Sequence, residues 1–290
     1  MIIAFISYEY PPDTGKGGIG TYTQQIAVLL QSAGLEVHVF AGSQTRDGLE
    51  NTNCVRVHRI LCTSVQDFRE KVLSVFRSVH TQSAFDIIES AEIHANALEI
   101  KKSFPLIPLI VRLHAPDCIV ESLKKRYVPF LHKLRFVLGA LRRGYWDAGY
   151  WRKYSYKKDA DYNFTTMADA VTAPSTAMKE WAVKNWVISD EKISVIGNPF
   201  IPSDSFLKLP VPNDFNHKTV IFFGRLNVLK GLVNATKAMK KILLRHPDWK
   251  FKVIGDDGPG PVPGGLQMRA WMKEQLGCNN DSVIFYDGVL

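Results

Sequence analysis

Short runs of β-branched and aliphatic residues alternate along this chain with segments whose apolar positions recur every three to four residues. That alternation is the pattern of parallel α/β units. Strands are predicted at Ile2–Tyr8, Glu36–Ala41, Val55–Ile60, Asp86–Glu89, Leu109–His114, Ala170–Ala173 and Lys192–Ile196. Helices are predicted at Gly20–Ser32, Gln66–His80 and Ala91–Ser103, the first closing at Ala33-Gly34, a favourable C-cap. The run Ile119–Thr166 is longer than a crossover between neighbouring strands requires and reads as a helical insertion. Pro199, Pro202, Pro210 and Pro212, interspersed with Ser, Asp and Asn, then mark a linker. After it the alternation restarts, with strands at Thr219–Gly224, Lys250–Ile254 and Ser282–Tyr286 and helices at Val233–Arg245 and Leu266–Gly277. The expected fold is therefore α/β with two Rossmann-like domains. The first spans residues 1–200 and carries a basic helical insertion over 118–166. A linker covers 201–217, and a second, partial domain covers 218–290, where three strands make half of a doubly wound sheet.

Composition narrows the class. With 46% hydrophobic and 22% charged residues over 290 positions, the chain reads as globular, which excludes disordered and fibrous classes. Its net charge of +8 is modest, but the charge is concentrated: between Cys118 and Lys158 stand eleven Lys and Arg against two acids. Cys54, Cys62, Cys118 and Cys278 form no C-x-x-C pair and have no spaced histidines, so neither a zinc site nor a disulfide framework is expected. Met1–Ser7 lacks the basic start and small-residue cleavage site of a signal peptide, and no apolar run reaches the roughly 18 residues that span a bilayer.

Two loops carry candidate chemistry. After the first strand, Pro11-Pro-Asp-Thr-Gly15-Lys-Gly-Gly-Ile-Gly20 opens into a helix, where close backbone N–H groups and the helix N-terminus suit a phosphate. Gly15, Gly17 and Gly20 formally satisfy the dinucleotide fingerprint. However, the first glycine sits several residues past the strand, and Phe40-Ala41-Gly42-Ser43 replaces the acidic residue that would hold a ribose. A plain glycine turn without ligand is the competing reading. In the second half, Gly224-Arg225 and Lys230-Gly231 place two cations just past a strand's carboxyl end, the edge where open α/β sheets bind ligands. Solvated loop charges are the alternative there. No D-x-D pair follows a strand; Asp256-Asp257 comes nearest.

Taken together, these segments resemble the retaining glycosyltransferases of GT-B fold, family four. The resemblance rests on Tyr8-Glu-Tyr-Pro-Pro12 leading into Gly17-Gly18, Gly34-Leu-Glu-Val-His-Val39, Arg112-Leu-His114, Asp169-Ala-Val-Thr-Ala-Pro-Ser175 and Val195-Ile-Gly-Asn-Pro199. It continues through Gly224-Arg225 with Lys230-Gly231 and Val253-Ile-Gly-Asp-Asp-Gly258. It implies a metal-independent, retaining transferase that moves a sugar from a nucleotide-sugar, such as a UDP-, GDP- or ADP-sugar, held in an interdomain cleft. Arg225, Lys230, Gly17 and Gly18 fall on positions that handle the donor diphosphate, and His114 on the residue beside the transferred sugar. Gly255 and Asp256 fall on the nucleoside side. Asn198 falls beside the hinge, where a turn role and ligand contact are both open, and a locally bonded strand-end histidine is the other reading of His114. No cofactor is implied beyond the co-substrate. Family members continue through an acidic element and a last helix after the point where this sequence stops, so a C-terminally truncated chain without activity is expected. A GT-B-fold nucleotide-sugar epimerase and a non-catalytic nucleotide- or sugar-binding fragment are the alternative functions.

The acceptor expected is a sugar or lipid-linked molecule of polysaccharide or glycoconjugate assembly, at a cytoplasmic location that includes the inner face of the membrane. In residues 118–158 the basic side chains are interleaved with aromatics such as Tyr145, Trp146, Trp151 and Tyr154. That mixture suits an anionic membrane surface or phosphorylated acceptor, while an ordinary helical excursion with a solvated basic face is the competing reading. Nucleic acid is not expected as a partner, since nothing else in the chain supports it. In a three-strand half-sheet, Thr219–Gly224 is expected at an open edge, with alternate side chains of Val220-Ile-Phe-Phe223 facing solvent.

Overall fold

Ile2–Ser7 (β1) buries five of its six residues, as a strand covered on both faces must. In the computed structural model it lies inside an eight-stranded sheet, paired in parallel with Glu36–Ser43 (β2) on one side and Ile87–Ala91 (β5) on the other. Gly48–Thr52 (β3) and Val55–Leu61 (β4) extend the sheet beyond β2. Leu109–Arg112 (β6), Ala170–Ala173 (β7) and Ile193–Val195 (β8) extend it beyond β5, giving the order β3-β4-β2-β1-β5-β6-β7-β8. All pairings are parallel except β3 with β4. The structure describes every residue except Lys16, 211–217, 278–281 and 288–290; Cys278 and the last part of the expected linker, 211–217, lie outside the described residues.

The helices of this first half are Gly18–Ser32 (α1), Val65–Gln82 (α2) and Leu98–Ser103 (α3); between β6 and β7 follow Asp117–Arg126 (α4), Phe130–Arg142 (α5) and Ala160–Thr166 (α6). Thr176–Trp186 (α7) and the single turn Asp204–Leu207 (α8) come after β7 and β8. The Ser64 hydroxyl starts α2 by accepting from the Asp67 N–H, and Ser175 and Ser203 do the same for α7 and α8.

Two predicted features change. The helix expected over Ala91–Ser103 is broken: β5 runs to Ala91, and His94 (φ 64°) and Ala95 (φ 46°) are left-handed, a conformation that cannot propagate a right-handed helix. The helix proper begins at Leu98. The edge strand β3 was not expected, because Gly-Leu-Glu-Asn-Thr shows little alternation. It forms through a hairpin whose central residues, Asn53 (φ 52°) and Cys54 (φ 62°), both take the positive φ that a type I′ turn requires.

The chain divides into two compact units, residues 1–117 with 155–208, and residues 118–154 with 209–290. The eight-stranded sheet belongs to the first. In the second, Thr219–Phe223 (β9), Leu232–Arg245 (α9), Lys250–Ile254 (β10), Met268–Leu276 (α10) and Val283–Tyr286 (β11) form a parallel three-stranded sheet of order β11-β10-β9. Its core gathers Leu226, Leu232, Met239, Phe251, Val253 and Met268. Val220 and Phe222 pack against that core, whereas Ile221 (60% exposed) and Phe223 (66%) face solvent on an edge strand, as the half-sheet argument requires. The insertion differs from expectation: residues 118–154 group with the second unit instead of the first domain, because Tyr127 packs into the second unit's core. Residues 155–166 stay with the first unit, which continues to Lys208 through α8.

Candidate functional site

The glycine turn of the first unit is a packed structure. A Cβ on Gly20 would approach the Gly15 Cα to 2.8 Å, and one on Gly15 would meet Pro11 at 2.7 Å, so the loop lies directly on the start of α1. The Thr14 hydroxyl donates to the Tyr8 carbonyl (2.6 Å) and accepts from the Tyr10 N–H (3.1 Å). From β4, the buried Arg59 donates to the Tyr10 carbonyl (3.0 Å). Gly17 is the N-cap of α1 and supplies no capping side chain, and no acid occupies the helix's first turn. Nothing lies within 4 Å of a Cβ built on Gly18. The two glycines thus stand at a pinned helix N-terminus, open at Gly18 and flanked at Gly17 by the Glu9 carboxylate, whose oxygen lies 2.9 Å from where a Gly17 Cβ would stand; the amides and the helix dipole there favour negative charge.

At the carboxyl ends of β5 and β6 the sheet gathers a second group of the first unit. The His114 backbone N–H donates to both carboxylate oxygens of the buried Glu92 (2.9 and 3.0 Å). Its ring meets Tyr22 edge-on, with centroids 5.1 Å apart. Arg112, also buried, lies over the Tyr22 ring at 4.7 Å and donates to the Asn198 amide oxygen at 2.6 Å. The Tyr22 hydroxyl donates to Glu89 (2.7 Å). Burial, reinforced by the Arg112 cation, pushes the His114 ring down to about 4, so the imidazole is neutral at physiological pH. Burial pushes Glu92 up to about 8 and Asp161 up to about 6. Asp161 accepts from the His94 and Asp117 N–H groups (3.2 and 3.1 Å), tying the left-handed turn after β5 to the start of α4.

In the second unit, the turns after β9 and β10 run against each other. Gly224 donates to the Ile254 carbonyl (2.9 Å) and Leu226 to the Asp256 carbonyl (2.8 Å). Both glycines hold positive φ, 136° at Gly224 and 144° at Gly255, and a Cβ on Gly255 would fall 2.1 Å from the Gly224 carbonyl oxygen. Only glycine fits that approach. Arg225 follows on an exposed turn. The Asn227 side chain then accepts from the Leu229 and Lys230 N–H groups (3.0 and 3.2 Å), and Gly231 (φ 74°) leads into α9. Arg225, Lys230, Gly255 and Asp256 are therefore brought to one sheet edge, as Gly17, Gly18, His114 and Asn198 are brought to the sheet edge of the first unit. Asp256 engages through its carbonyl. Its neighbour Asp257 instead works as a local cap, its carboxylate accepting from the Gly258 and Arg269 N–H groups.

The sequence matches Glycosyltransferase Family 4 over residues 16–204. The chain belongs to that family. No curated protein matches it. Among solved structures, this glycosyltransferase resembles the catalytic domain of starch synthase IV from Arabidopsis thaliana bound to ADP and acarbose, at 13% identity and a TM-score of 0.59. All of this chain and 74% of that one are covered. It also resembles WaaG, a glycosyltransferase involved in lipopolysaccharide biosynthesis (16% identity, 99% and 70% covered, TM-score 0.50). A third likeness is the UDP-GlcNAc 2-epimerase from Neisseria meningitidis bound to UDP-GlcNAc (12% identity, 100% and 73% covered, TM-score 0.51). At these identities the likeness is one of fold, and that fold is the GT-B type.

The transferase's buried acids were missed by sequence reasoning. The buried Glu92 directly follows the strand Ile87-Ile-Glu-Ser-Ala91, and the partly buried Glu89 lies within it; acids in and beside a strand that should sit inside the sheet are the signal that could have found them. Asp161 had no such signal, since it sits in a polar segment. Among the described residues no group of His, Cys, Asp and Glu is placed to hold a metal ion, and no helix is long and apolar enough to cross a membrane. Among the described residues Cys54, Cys62 and Cys118 form no disulfide.

Proposed function

We propose that this family 4 enzyme transfers a sugar, with retention and without a metal, from a nucleotide-sugar donor to a sugar or lipid-linked acceptor of polysaccharide or glycoconjugate assembly. The observation that carries the reading is the paired turn of the second unit, where Gly224 and Gly255 are forced together and Arg225 and Lys230 are presented beyond the strand ends. Departure of a nucleoside diphosphate builds charge on phosphate oxygens, and two preorganised cations stabilise it without a metal. The reading assigns Gly17 and Gly18 to the same diphosphate through backbone N–H groups, Gly255 and Asp256 to the nucleoside side, and His114 to the transferred sugar. There a neutral imidazole exchanges hydrogen bonds with hydroxyls without adding charge. Asn198 acts through Arg112. The cytoplasm, where nucleotide-sugars and reduced thiols such as Cys54 coexist, is the compartment this reading implies.

Calorimetric titration with UDP, GDP and ADP tests it. Arg225→Ala and Lys230→Ala should each weaken binding of the preferred nucleotide by about 1.5–3 kcal/mol, the range for hydrogen bonds to charged groups. Unchanged affinity in both variants would remove the diphosphate assignment. Conversion of a nucleotide-sugar to its epimer with no transfer to any acceptor would favour the epimerase reading.

A further inference from the structure

Helix α5 has two apolar faces. Val137 and Ala140 are buried, and Phe136, itself 36% exposed, fills the space where a Cβ on Gly149 would stand and meets Tyr150 edge-on at 5.5 Å. Phe130, Leu131, Leu134, Leu138 and Leu141 point outward, and all five are exposed, Leu131 at 68%. At 3.6 residues per turn these five fall within an arc of roughly 100°, and Arg135 and Arg142 border it on one side. The chain after α5 adds exposed aromatics beside exposed cations: Trp146, 72% exposed, follows Arg142 and Arg143, and Trp151 precedes Arg152 and Lys153.

A row of solvated leucines is costly to leave in water, and its rim says what covers it. The segment 118–158 holds eleven cations and only two acids, Glu121 and Asp147, and Asp147 is already committed to Arg152 (2.8 Å) and the Gly149 N–H (2.9 Å). A second copy of the chain seated on this face would set cation against cation. Nucleic acid would offer no partner to five aliphatic or phenyl side chains on a helix. An anionic bilayer satisfies both parts, taking the apolar arc at the acyl boundary, the arginines at phosphate level and the tryptophans between them. We propose that the outward face of α5, with the Trp146 and Trp151 segment, is a docking surface for the anionic lipid membrane. The proposal stands independently of the donor assignment, since none of these residues belongs to it.

Co-sedimentation of the full chain with vesicles decides the matter. Vesicles of phosphatidylcholine mixed with phosphatidylglycerol should retain the protein and phosphatidylcholine alone should not, with retention falling as salt is added. Reversing Arg135, Arg142 and Arg143 to Glu should weaken partitioning by about fivefold or more per side chain. Replacing Leu131, Leu134 and Leu138 with Ser should weaken it at low and high salt alike. Circular dichroism melting controls for folding; if the leucine variant melts early, the arginine variant, altered only at exposed charges, still decides. Equal retention by neutral and anionic vesicles, or retention indifferent to the arginine reversals, overturns the proposal. So does concentration-dependent self-association that the leucine variant abolishes, which would give the face to a second copy.

Discussion

The His114 N–H donates to a carboxyl that has no solvent contact, and this makes Glu92 the support of the loop that carries His114. Burial lifts the Glu92 carboxyl to about 8 against an ordinary 4.5. Between those values the folded chain holds a proton that the unfolded chain releases. Stability from this group is therefore complete at the acid end and is lost as pH rises, with a slope of up to about 1.4 kcal/mol per pH unit. Glu92→Gln removes the titration while keeping one acceptor for the His114 N–H. Urea unfolding across that interval should show the falling component in the wild type and its absence in the variant; identical pH slopes would refute the assignment. His114 itself, held down to about 4 by burial and by Arg112, should show no inflection near its ordinary 6.5 when its ring resonances are followed by NMR. A midpoint near 6.5 would mean that the ring is solvated and that the packing on Tyr22 is not kept in solution.

Strands β2 and β4 carry a second buried titratable group, remote from the candidate site. His38 and His58 share a 3.0 Å contact between ring nitrogens, and His58 stacks on Phe40 with centroids 4.6 Å apart. Burial, with the neighbouring His38 and Arg56 charges, takes His58 down to about 4. Here the sign is opposite to that of Glu92. The unfolded chain binds a proton that the folded chain refuses, so stability is lost as pH falls from about 6.5 toward 4. His58→Phe keeps the stack and should flatten the acid limb of a melting-temperature profile; an unchanged acid limb would show that other groups govern it. At this scale the sequence was legible wherever one signal dominated. A continuous apolar run located β1, short segments rich in Val and Ile located β2 and β4, and Gly-Arg and Lys-Gly located the turn before α9. It was illegible where tertiary contacts override local preference. Asp161 holds the left-handed His94 across 67 residues of chain, and no window around Ala91–Ser103 contains that information. The two apolar faces of α5 were equally hidden, because sequence shows a helix's apolar positions but not which of them find a partner.

Across the whole chain, hydrogen bonding and cover are unequally distributed, and this orders the stability of its parts. β1 is paired on both sides within eight strands and buries five of six residues. β9 is paired only with β10 among the described residues and exposes Ile221 and Phe223. Amides on a strand with one partner and one bare face open at lower free energy than those at a sheet's centre. Hydrogen–deuterium exchange followed by mass spectrometry should therefore label residues 219–223 well before residues 2–7. The insertion provides a sharper test. Residues 118–154 are bracketed in sequence by the first unit but share a core with the second through Tyr127, beside the groove that Lys124 and Lys125 line with Leu229 and Pro259. If packing, and not chain connectivity, sets the cooperative unit, peptides from 118–154 should lose protection in denaturant together with those of α9 and β10. Loss of protection in step with β6 and β7 instead would show that the insertion belongs energetically to the first unit.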